Sequence, residues 1–144
     1  MICPDVNLLL YAVNDLYPQH AKAKCWWDSA LSGAEPVGLG HVVVLGFVRI
    51  STNKKIFDRP LTILEATTEI DSWLKQPCVE WINPSSFHWD TYKAMLLNGK
   101  AGSNLTTDAH IATLASEVGA TVYSNDTNFD RFPGLKVVNP LMAS

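Results

Sequence analysis

The chain has too few cysteines for a disulfide framework. Cys3, Cys25 and Cys78 are odd in number, widely spaced and contain no CxxC pair. They read as reduced, mostly buried thiols of a reducing compartment. Positive charge is also scarce. The net charge of −3 excludes broad, charge-driven attraction to nucleic acid while leaving room for a local basic patch. No apolar run is long enough to cross a bilayer. The first residues lack the basic-then-apolar signature of a signal peptide, so a soluble cytoplasmic protein with no membrane contact is expected. His20, His41, His88 and His110 are scattered and form neither HxxxH nor HExxH, which argues against zinc. GxSxG, P-loop and GxGxxG motifs are missing, as are internal repeats, linkers and low-complexity segments.

What remains describes one globular domain over residues 1–144. Apolar residues make up 47% of the chain and charged ones 17%, a balance that folds rather than stays disordered. A chain of this length buries roughly 70% of its unfolded surface. The five tryptophans add buried area or an aromatic binding surface.

Met1 to Val6 reads as a short apolar strand with Asp5 at its C-terminal end. Leu8 to Ala12 is apolar on all sides, the mark of a buried helix, and Pro18 ends that pattern. His20 to Leu31 is an amphipathic helix stopped near Gly33. Val37 to Leu39 is a brief strand. His41 to Thr52 suits strand or helix by composition, and its length favours helix. Lys54, Lys55 and Arg59 share a loop with Pro60. Leu61 to Leu74 is a helix, Val79 to Ile82 a strand, and Pro84-Ser85-Ser86 a turn that can cap the helix Phe87 to Leu97. Asn98 to Gly102 is a flexible connection. Thr106 or Thr107 is positioned to N-cap a further helix ending at Gly119, with Ile111, Ala115 and Val118 on its buried face. Ala120 to Tyr123 and Val137-Val138 are strands, separated by a packed turn of Phe129, Phe132, Pro133 and Gly134. Strands alternating with helices predict parallel βαβ units in an α/β sandwich.

Asp108 continues the apolar stripe of its helix, where a lone carboxylate is expensive unless paired. In an open α/β sheet, ligands bind beyond the carboxyl ends of the strands. Asp5 and Asp126 are predicted at such ends, and Asp108 opens a helix that packs on the same sheet. Each aspartate alone is equally well read as a helix cap or an Asx turn. Together they suggest a cluster of carboxylates needing a cation. Oxygen ligands suit Mg²⁺ or Mn²⁺, which can activate water and clamp a phosphodiester. Arg49, Lys54 and Lys55 are the basic group best suited to bind phosphates, or else a solvated loop with a surface ion pair.

Asp5-Val6-Asn7, Leu45-Gly46-Phe47-Val48-Arg49, Thr107-Asp108-Ala109-His110 and Ser124-Asn125-Asp126 together resemble PIN-domain proteins. The likeness is to VapC toxins of bacterial toxin–antitoxin pairs in particular, and the stretch from Phe129 to Pro140 resembles their C-terminus. The resemblance spans nearly the whole chain. It implies a three-layer PIN-like domain with a mainly parallel central sheet flanked by helices. It also implies a metal-dependent endoribonuclease that forms a homodimer and is neutralised by a VapB-like antitoxin. Asp5, Asp108 and Asp126 fall on the family's acidic positions, as metal ligands and catalytic residues. Asn7 and Ser124 fall on its supporting polar positions, and Thr107 is added as a residue that orients waters or phosphate oxygens. One position departs: Gly46 stands where most family members carry Glu. Two alternatives stay open, a non-catalytic PIN-like RNA- or protein-binding module with a degenerate site, and a receiver-type signalling domain. The latter needs a phosphate-sensing lysine near the last strand, and Lys136 is poorly placed for it.

Overall fold

A computed structural model describes residues 1–142. Five strands form one parallel sheet: β1 (Ile2–Pro4), β2 (Val37–Gly40), β3 (Val79–Ile82), β4 (Thr121–Tyr123) and β5 (Val137–Val138). Their spatial order is β3-β2-β1-β4-β5. Six α-helices flank them: α1 (Val6–Val13), α2 (His20–Ser32), α3 (His41–Ser51), α4 (Ile63–Leu74), α5 (His88–Gly99) and α6 (Thr106–Glu117).

β1 and β2 are buried throughout, as parallel strands covered on both faces must be. The chain builds outward from β1 through β2 to β3, then returns to add β4 and β5 on the other side. With right-handed crossovers, that reversal puts α1–α4 on one face and α5 and α6 on the other. The core joins both layers through Leu8, Leu9, Leu39, Phe47, Trp73, Val122 and Phe129.

Ile2 pairs with both Val37 and Thr121, and Pro4 pairs with Tyr123. The strands therefore end level, and the order reverses between β1 and β4. That is the topological switch point, where open α/β sheets leave a crevice. Asp5 follows β1 and Ser124 follows β4 on either side of it, joined by a hydrogen bond from the Asp5 amide to the Tyr123 carbonyl at 2.8 Å.

Several boundaries differ from the sequence reading. The first strand stops at Pro4, because Asp5, its amide still bonded to Tyr123, turns its side chain to N-cap α1. α4 starts at Ile63, two residues late, because Thr62 and Glu65 close a capping box ahead of it. Neither Thr106 nor Thr107 caps α6. A 3-10 turn over Ser103–Leu105 runs straight into the helix, so Leu105 holds the cap position without a side-chain bond. Thr106 Oγ1 instead donates back to the Ser103 carbonyl at 2.9 Å. α6 ends at Glu117, Val118 is exposed, and Gly119 turns the chain at φ +67°. Ser85 does not occupy the cap position of α5, which Phe87 takes, although Ser85 Oγ accepts the Phe87 amide at 3.2 Å. Cys3 is buried and Cys78 partly so, but Cys25 is exposed; all three are free thiols. Among the described residues, no helix is long and apolar enough to cross a membrane.

Candidate functional site

Ser124 is the junction of the switch point. Its buried hydroxyl donates to Asp5 Oδ2 at 2.8 Å and accepts from the Asp126 amide at 3.0 Å and Asn7 Nδ2 at 3.3 Å. Asp5 Oδ1 accepts the Val6 amide at 2.8 Å, the capping bond of α1. Asn7 Oδ1 also reaches the Asn125 amide at 3.5 Å. Asp126 opens a 3-10 helix (Thr127–Arg131) and holds Asn128 with both carboxylate oxygens, the amide at 2.9 Å and Nδ2 at 3.1 Å. α6 leads down into the start of β4, so its first turn lies at the same sheet edge, carrying the half-buried Asp108 and the exposed Thr107.

Electrostatics ties the three carboxylates together. Burial pushes the Asp5 carboxyl above its ordinary pKa; bonds from Ser124 and Val6 pull it back, and the charge of Asp126 raises it again. Asp108 is pushed up to about 6, first by burial, then by the charges of Asp5 and Asp126. A hydrogen bond from Asn128 and the charge of Arg131 oppose that rise. Converging like charges are the arrangement a divalent cation relieves. The donors are all oxygen, which suits a hard cation. Among the described residues no three His, Cys, Asp or Glu side chains close into a ready metal cage. An ion at this edge would need water among its ligands, as Mg²⁺ commonly has.

The model of the family described as PIN domain matches residues 2–135. The chain belongs to the PIN-domain family. It is 42% identical over 136 residues to Ribonuclease VapC37 of Mycobacterium tuberculosis, covering 94% of each chain. It is 38% identical over 141 residues to Ribonuclease VapC33 of the same species, covering 98% of this chain and 99% of that one. This places it among the VapC-type ribonucleases of the family. The fold superposes with a TM-score of 0.70, at 21% identity, on the crystal structure of VapBC2 from Rickettsia felis bound to a DNA fragment from their promoter. That match covers 96% of this chain and 98% of that one.

In this PIN domain the basic residues fall at different places. Arg49 is exposed on α3. Lys54 and Lys55 are exposed in the loop after α3, which packs through Phe57 on Tyr17 at 5.9 Å, beyond the C-terminal end of α1. α1 spans eight residues, so that loop stands about 12 Å along the helix from Asp5. Sequence reasoning missed Arg131, whose Nη1 donates to the Gly99 and Lys100 carbonyls at 3.1 and 3.3 Å and whose charge acts on Asp108. It lies within the packed turn around Phe129 and Phe132, where nothing local marks it. Asn128 is equally unmarked by its neighbours in the sequence. Gly46 is buried in α3 against the first turn of α1. A Cβ built there meets Val6 Cγ2 at 3.4 Å, an ordinary contact.

Proposed function

We propose that this VapC-type PIN domain is a metal-dependent endoribonuclease regulated by a VapB-like antitoxin. The observation that carries this reading is the convergence of Asp5, Asp108 and Asp126 at the switch point of the sheet, with Asp108 raised to about 6 by burial and its acidic neighbours. Asp5, Asp108 and Asp126 would hold Mg²⁺ or Mn²⁺, directly or through water. When bound, the ion supplies an activated water and neutralises charge on the phosphodiester and its leaving oxygen. The chain's own part is to keep the carboxylates ionised and aligned. Ser124 locks Asp5 to the Asp126 backbone, Asn7 braces Ser124, and Asn128 fixes the orientation of Asp126. Thr107, exposed beside Asp108, is available to orient water or a phosphate oxygen.

Arg131 is the cation best placed for a phosphate at the reacting bond, since its charge already acts on Asp108. Arg49, Lys54 and Lys55 would meet RNA farther along the strand. A homodimer agrees with the exposed Leu45, Trp81, Phe87 and Trp89, because exposed apolar area marks interfaces. Light scattering checks it, and a monomer at high concentration counts against it.

Gly46 favours a second reading, a non-catalytic RNA- or partner-binding PIN module, because it offers no ligand beside Val6 and Asp5. One assay separates the two. Purified protein is incubated with pooled cellular RNA in Mg²⁺, Mn²⁺ or chelator, and new ends are mapped. Discrete ends that need metal support the nuclease; RNA retained intact with every metal supports the binding module.

A further inference from the structure

α6 carries Asp108 in a first turn that has no side-chain cap. The 3-10 turn over Ser103–Leu105 leads into it through backbone bonds, so the side chains that fix its direction come from outside the helix. α5 supplies them. Tyr92 donates its hydroxyl to the Thr106 carbonyl at 3.0 Å. Two residues past Asp108, His110 Nδ1 meets His88 Nε2 at 3.0 Å, and His88 Nδ1 meets Glu117 Oε1 at 2.9 Å. The Ser85 hydroxyl and amide close the chain on the Glu117 carboxylate. α5 fully buries only Gly99, so these polar ties are prominent among the contacts that seat its first turns on α6.

The donors follow from chemistry. An ionised Glu117 can only accept, so His88 must donate from Nδ1. In the neutral imidazole Nε2 is then a lone pair, and His110 donates to it from Nδ1. We propose that the Glu117–His88–His110 chain is a positioning relay, which with Tyr92 on Thr106 seats α6 on α5 so that Asp108 faces Asp5 and Asp126. The inference rests on the carboxylate edge being the cleavage site.

The test has two independent parts. Nitrogen-15 correlation spectra of the full chain read the tautomers without any reaction. His88 and His110 both protonated at Nδ1 and bare at Nε2 are expected, and a neutral His88 protonated at Nε2 overturns the relay. The second part compares His88→Ala, His88→Gln and Glu117→Gln for Mn²⁺ affinity and for kcat and KM on RNA, each on folded protein. Loss of an outer-shell partner commonly weakens metal affinity or activity by about 10-fold or more. His88→Ala should therefore lower Mn²⁺ affinity and kcat by about tenfold, with KM held within about twofold. His88→Gln keeps an oxygen that accepts from His110 and should restore most of the loss. A merely structural contact predicts a lower Tm in His88→Ala with Mn²⁺ affinity and kcat unchanged, and that result overturns the proposal. If His88→Ala fails to fold, Glu117→Gln serves the same comparison, with a loss of about threefold expected and no loss counting against the relay. An Asp108→Asn control that still cleaves would instead overturn the site reading itself, whatever the tautomers show.

Discussion

The two ends of α1 are built to opposite rules. At its start, Asp5, Ser124, Asn7 and Asp126 form a network in which the buried hydroxyl and the amides are paired while the carboxylates push against one another. At its far end, Tyr11, Tyr17 and Phe57 stack edge to face beside a cavity of about 690 Å³ walled by α1, α2, α3 and α4. There the buried Trp27 Nε1 and Ser51 Oγ lack partners, and two of the charged side chains on the wall, Lys24 and Asp28, pair with each other at 2.8 Å. One end stores electrostatic strain in satisfied hydrogen bonds; the other leaves polar atoms unsatisfied in a largely apolar pocket. Carboxylates pushed up by burial and like charge concentrate at chemical sites.

The comparison predicts a sharp asymmetry. Asp5→Asn should abolish cleavage, on the order of 10⁴-fold or about 5 kcal/mol of barrier. Asn caps a helix as well as Asp does, so α1 should keep its stability. Cleavage kinetics beside a thermal melt check both halves, and equal losses of fold and rate would erase the distinction. Phe47→Ala, a core change on the cavity wall, should do the reverse. Expected are a loss of about 3–5 kcal/mol of stability and unchanged Mn²⁺ affinity per folded molecule, read by denaturant titration and metal binding.

Smaller effects sharpen the picture. Gly46→Glu introduces a carboxylate beside Val6 and should tighten Mn²⁺ binding by about tenfold, or ~1.4 kcal/mol. Unchanged affinity would show that the new side chain turns away from Asp5. Asp108→Asn should stabilise the metal-free protein near pH 7. The Asp108 carboxyl is raised from 3.8 to about 6, so its protonation favours the fold below about pH 4 and that benefit fades as pH rises through 6. Allowing for solvent screening at a half-exposed group, the gain at pH 7 is roughly 1 kcal/mol, and it should vanish below pH 4. Melting curves across that range check the sign.

Much of this was legible in the residues. Alternation of apolar strands and helices predicts the parallel sheet, and the run from His41 is the helix that its length indicated. Asp5, Asp108 and Asp126 stand out because each sits where an element begins or ends. The misses share a cause. Ser103–Leu105 folds into a 3-10 turn that displaces Thr106 from the cap, where Lys100 and Ser103 both take left-handed backbone at φ 49° and 56° that their residue types do not announce. Arg131 reaches the Gly99 and Lys100 carbonyls across 32 and 31 residues, and no local pattern encodes a contact of that range. The Glu117–His88–His110 chain escaped for the same reason, since no short-range histidine motif joins α5 to α6.

The most direct test of the carboxylate edge is Mn²⁺ binding, followed by the spectrum of the free ion, in the native chain and in Asp5→Asn, Asp108→Asn and Asp126→Asn. Binding in the native chain that weakens by about tenfold or more in each variant, in parallel with loss of RNA cleavage, is the predicted result. Mn²⁺ binding and metal-dependent cleavage that survive in all three would contradict it.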